Sequence, residues 1–148
     1  MKTVLALLWL APALLAGDSA YHAQFVGGTL ADMPPKSSAH LLLTGPETLN
    51  FECHGQALNI PYARIDTLEY GQTVSRRYAA AILISPIFLL AKSRAHYVTV
   101  GFVDPQGKQQ ALVFRLNKND VRAVLTTLEA RSGRRVEYQD DEARKTGK

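Results

Sequence analysis

After residue 20 the hydrophobic positions recur mostly at period two, the pattern of strands with one buried face. Residues 21–30 (YHAQFVGGTL) predict a first strand, interrupted at Gly27 and Gly28 by a bulge or bend where another backbone comes close. Residues 31–38 predict a loop, and residues 40–44, 48–53 and 57–62 predict three short strands joined by GPE and HGQ turns. Pro61 cannot donate to a ladder, which confines the last of these to an edge or a strand end. In ARIDTLEYGQ the uneven spacing of Ile65, Leu68 and Tyr70 predicts a bulged strand or a short turn leading into one. Residues 96–103 and 111–116 flank DPQGK and form the clearest hairpin, with Val98, Val100 and Phe102 facing the same way as Leu112, Phe114 and Leu116.

The period then changes. Val121, Val124, Leu125 and Leu128 recur at helical spacing over residues 118–132, with Asn117 placed to cap, Asp120 in the first turn, Arg131 in the last and Gly133 just beyond. One apolar stripe on this helix has to pack on the sheet. Val136 and Tyr138 add a few docked residues, and residues 139–148 (QDDEARKTGK) read as a flexible, charged, solvated tail. The fold class is therefore mainly β with one C-terminal α-helix.

One stretch fits neither period. Residues 78–91 are almost purely apolar and are bracketed by Arg76 and Arg77 before and Lys92 and Arg94 after. No carboxylate occurs from Tyr70 to Val103. As a helix these fourteen residues would span about 21 Å, short of the roughly 30 Å hydrocarbon core of a bilayer, and Pro86 in their middle would kink or break it. An apolar hairpin or a kinked interfacial helix with a basic collar suits the length and the flanks: apolar tip among acyl chains, cations at the phosphates. Ile82, Leu83, Ile84, Ile87, Phe88 and Leu89, with Arg76, Arg77, Lys92 and Arg94, are the candidate contact residues. The same surface could instead cover an open end of the domain, or meet a second copy or another protein. Burial of the six apolar side chains is worth roughly 10 kcal/mol before ordering costs, so every version of the reading takes them out of water.

At 148 residues and 47% hydrophobic composition the chain supplies one domain, spanning residues 21–138. The N-terminus reads as an export signal over residues 1–20: Lys2, the apolar run VLALLWLAPALLA, then small residues from Gly17 to Ala20. A retained N-terminal anchor is the other reading. Either way the product is exported, periplasmic or secreted, and membrane-associated if the insert acts as described. Cys53, the one cysteine, cannot form an internal disulfide and alternates onto the inward face of its strand as a small hydrophobe. The net charge of +4 is dispersed outside the collar, which argues against a nucleic-acid partner.

No HExxH, GxSxG, Walker-type or CxxC pattern occurs, and His22, His40, His54 and His96 lie on separate segments without ligand spacing. Asp66 and Glu69 could face one another across a turn but lack a nucleophile, and Asp140 to Glu142 read as a solvated run. We therefore assign no catalytic residue, no metal ligand and no cofactor.

Six or seven antiparallel strands followed by one amphipathic helix is the element order of the pleckstrin-homology superfold. IPYARIDTLEYG, residues 60–71, resembles the strand, turn and strand of bacterial PH-like and GRAM-like domains. Together with a GG-containing first strand, HYVTVGF and a closing LEAR helix, the chain resembles a family of small exported bacterial proteins. The resemblance implies bent antiparallel sheets, or a partly open barrel, capped by the helix. The apolar insert departs from an ordinary PH domain, and no phosphoinositide-type basic loop maps onto this chain, so no binding residue follows from the likeness.

Overall fold

The computed structural model describes residues 20–29, 33–74 and 95–147. Eight strands form one sheet in the order β4-β3-β2-β1-β7-β6-β5-β8. They are β1 (Ala20–Gly28), β2 (Ser38–Leu42), β3 (Thr48–Cys53), β4 (Gln56–Pro61), β5 (Ile65–Gly71), β6 (His96–Val103), β7 (Gln109–Leu116) and β8 (Val136–Tyr138). Helix α1 (Lys118–Ser132) follows β7, and helix α2 (Asp141–Gly147) follows β8. The molecule is mainly β as expected, with one strand and one helix more than the sequence pattern predicts.

The sheet edges fall where the chemistry puts them. Pro61 ends β4, which is an edge strand, so its missing N–H costs the ladder nothing. The β3–β4 turn is a two-residue loop, His54 and Gly55, both at positive φ (51° and 78°), the arrangement whose twist matches that of a hairpin. The expected glycine bulge is present: the β1–β7 register slips between Phe25 and Gly27. A Cβ on Gly28 would lie 2.9 Å from the Ala111 carbonyl oxygen, so the close backbone approach excludes a side chain there. The irregular ARIDTLEYGQ stretch resolves into a 3-10 turn at Tyr62–Arg64 and a register slip between Ile65 and Thr67 in β5.

Phe25 on β1 and Phe114 on β7 both meet Phe51 on β3, with ring centres 6.2 and 5.7 Å apart. Three strand spacings separate β3 from β7, about 14 Å in a flat sheet, so the sheet must curl over its core for these rings to touch. The core draws on every strand and on the predicted stripe of α1, with Leu41, Leu49, Phe51, Leu68, Phe114, Val121, Val124 and Leu128 all at 0% exposure. Cys53 lies within it as expected. Arg131, in the last turn of α1, donates to the Gly45 carbonyl in the β2–β3 turn and lies over the Tyr62 ring. It thereby fastens the end of the helix to the curled half of the sheet.

Asn117 occupies the cap position of α1 in extended conformation, but its side chain makes no capping hydrogen bond. Gly133 ends the helix in the left-handed conformation, donating to the Glu129 carbonyl. Val136 and Tyr138 dock as expected, in a strand β8 that runs parallel to β5, whereas the expected flexible tail of residues 139–148 is corrected: it holds α2, docked with Ala143 buried. Asp140 Oδ1 accepts from the Ala143 N–H at 2.6 Å and so supplies a helix start.

Candidate functional site: the root of the apolar insert

All ten predicted contact residues, Arg76 to Arg94, lie outside the described residues, as do residues 1–19 of the expected leader. The structure does show where those segments attach. Strands β5 and β6 are antiparallel neighbours with Gly71 paired to Tyr97, so the chain leaves and re-enters the sheet at one place. Val74 and Ala95, the described residues on either side of the gap, share a second apolar cluster with Val26, Tyr97, Ala111 and Val113. Tyr97, Ala111 and Val113 alternate with the core residues Val98, Leu112 and Phe114 and so project from the opposite face of the sheet, which is also dry here, with Val26 and Val113 at 0% exposure.

A transverse row crosses the sheet at this root. His96 on β6 is paired with Leu116 on β7, and Leu116 with Ala23 on β1. Two strand spacings, about 10 Å, thus separate the start of β6 from the early part of β1. The N-terminal segment and the 75–94 stretch therefore leave the sheet at the same end.

Polar and basic side chains collect there. A recess of about 310 Å³ is lined by Gln72, His96, Lys118, Glu142, Lys145 and Thr146. Tyr70, with its ring fully buried, has its hydroxyl 2.6 Å from His96 Nδ1. Burial, followed by the charges of Asp140 and Tyr138, pushes the Tyr70 phenol up to about 12, so at neutral pH it keeps its proton. Burial, then Lys118 and Arg115, holds His96 below the ordinary imidazole value. A protonated phenol beside a neutral imidazole leaves one consistent arrangement: Tyr70 donates, Nδ1 accepts and Nε2 carries the ring proton. The pair joins β5 to β6 beside the root.

No protein-family model matches the chain, and no curated protein matches it.

Of the remaining sequence candidates, the two carboxylates of β5 separate, while His40 and His54 line one recess with Glu52. Asp66 is exposed and accepts from Gln109 Nε2 at 3.2 Å, whereas Glu69 is buried opposite Thr99 on β6. His54 occupies the β3–β4 turn, while His22 and His40 pair across β1 and β2. A second recess, about 780 Å³, brings Arg134, Arg135 and Arg144 together beside Tyr138. Arg134 there is already engaged with the Ile65 carbonyl at 3.2 Å. Arg115, Lys118 and Lys145 were not singled out from sequence, because only the strand register and the docking of α2 bring them to the root.

Proposed function

We propose that this is an exported, PH-like binding domain that attaches to an anionic membrane surface through the 76–94 insert. The observation that carries the reading is the single root of the insert. The apolar run of residues 78–91 leaves and re-enters the sheet at one place, where Gly71 pairs with Tyr97, and Lys118 and Lys145, with Glu142, line the recess beside it. Arg76 and Arg77 follow Val74 by two and three residues, and Lys92 and Arg94 precede Ala95 by three and one. In sequence these cations flank the apolar run on both sides, next to the residues that join it to the sheet. Apolar insertion and cationic attraction acting together give firmer attachment than either alone, the logic of two-signal membrane anchoring.

The PH-like part rests on the antiparallel path of β1 to β7 followed by a helix that fastens one side of a curled sheet. Strand β8 and helix α2 are additions to that layout. Among the described residues no helix is long and apolar enough to cross a membrane.

The test is flotation of residues 21–148 with vesicles containing anionic lipid. The expected result is co-flotation that weakens as salt is raised and is lost in the double variant Ile84→Asp with Phe88→Asp, with folding intact by circular dichroism. A parent protein of twice the monomer mass without lipid, turned monomeric by the same changes, replaces the membrane reading with self-association. A monomer indifferent to lipid removes both.

A further inference from the structure

On the opposite half of the sheet a different chemistry stands in register. His22 on β1 is paired directly with His40 on β2, and His40 is paired in turn with Glu52 on β3. All three side chains are exposed on the outward face, so burial in a core does not account for them. The two imidazole ring centres are 4.8 Å apart with planes inclined at 58°. We propose that His22 and His40 form a chelating pair for a divalent transition-metal ion, with Glu52 as the adjacent carboxylate.

The spacing is the first argument. A metal about 2.0–2.1 Å from each ligating nitrogen lies about 3.2 Å from each ring centre. Two imidazoles sharing it at angles between about 90° and 110° then have centres about 4.5–5.2 Å apart. The observed separation of 4.8 Å falls inside that range. Among the described residues no three His, Cys, Asp or Glu side chains converge as placed, so the imidazole pair is the core of the site and Glu52 enters by rotating about its side-chain bonds.

The electrostatic setting is the second argument. No Lys or Arg occurs in β1 or between Ser38 and Ala63, the span that holds β2, β3 and β4, whereas Glu47 and Glu52 both lie in it. Arg115 on β7 shares a recess with His22 on the side away from His40. The approach from β2 and β3 is therefore open to a cation, in contrast to the lysine-bearing root of the insert. Imidazole donors select the class of ion: copper(II), nickel(II) and zinc(II) fit, and calcium and magnesium, which prefer oxygen, do not.

The experiment is calorimetric titration of the full chain with zinc(II), and separately with copper(II), in a non-chelating buffer, with calcium(II) as the control ion. The expected result is one ion per chain for both transition metals and no calcium binding. His22→Ala and His40→Ala should each lower affinity by about tenfold or more, and His96→Ala should leave it unchanged. Copper electron paramagnetic resonance should report two nitrogen ligands in the parent and one in either variant. The proposal is overturned if zinc and copper fail to bind, if His22→Ala and His40→Ala bind as the parent does, or if His54→Ala abolishes binding while His22→Ala retains it. Because both histidines are exposed, loss of fold is not expected. If one variant does unfold, the resonance signal of the other decides.

Discussion

Replacing Tyr70 by Phe removes one oxygen and leaves the ring contacts. The ring stays wedged between His96, whose plane is nearly parallel to it, and Tyr138, which meets it edge-on with centres 6.1 Å apart, so no cavity opens. What is lost is the 2.6 Å hydrogen bond to His96 Nδ1. A bond of this kind contributes about 0.5–1.5 kcal/mol net. The half-buried imidazole can recover part of that from water, so a loss of about 1 kcal/mol is expected at pH 7.5, or about 3–5 °C in Tm for a domain of this size.

The pH dependence makes the argument refutable. His96 is held below its ordinary value in the folded state, so its contribution to stability is present above the unfolded value of 6.5 and is lost as pH falls through the folded value. Protonation also removes the lone pair that accepts from Tyr70, so acid takes the bond away from the wild type as well. The stability gap between wild type and Tyr70→Phe, measured by urea unfolding in steps from about pH 7.5 to about pH 4.5, should shrink on acidification. Groups that titrate identically in both proteins cancel in the difference. A gap that stays constant or widens toward acid would refute the assignment of Tyr70 as donor to a neutral His96. Nitrogen NMR offers a second check, since the wild-type ring at neutral pH should carry its proton on Nε2.

Two further predictions concern the frame that holds the root in place. Phe114→Ala should cost about 3–5 kcal/mol by urea unfolding, because Phe114 is fully buried in the core of the curled sheet, against a Phe51 ring that is fully buried too. Glu129 Oε1 accepts from the Val136 N–H at 2.7 Å and so ties β8 to α1. Glu129→Ala should cost about 1–3 kcal/mol and raise the exchange rate of the Val136 amide, with strands β1 to β4 unaffected.

The strands were legible where one face is wet. Thr48–Cys53 alternates cleanly, and its inward residues are the buried ones. Gly27 and Gly28 marked the bulge because the close approach of Ala111 leaves no room for a Cβ at Gly28. Strand β8 was not legible as a strand: three residues carry no period, and their partner, β5, is recognised only after the fold brings it alongside. Helix α2 hid in a charged run, yet a signal was present in Asp140 as a cap, Asp141 and Glu142 in the first turn and Arg144 and Lys145 in the last, an order that suits the helix dipole. The His22–His40–Glu52 row could not be found from spacing, because residues 18 and 12 apart in sequence become neighbours only through two strand registers.

The central strands carry the more instructive departure. Period two predicts that Tyr97, Thr99 and Val113 face water, yet all three are buried, and Val26 with them. The hint was compositional rather than periodic: HYVTVGFV and the ALVF of β7 contain no charged residue, as strands covered on both faces do. Such strands have no wet side on which to place a Lys or Glu, so their apolar outward residues require cover. Tyr97, Val74 and Ala95, all in that outward cluster, flank the apolar run of residues 78–91 and lie in the same carboxylate-free stretch, Tyr70 to Val103. One-sided burial therefore fails at the root of the insert, where the sheet meets the part of the chain that has no carboxylate to offer water.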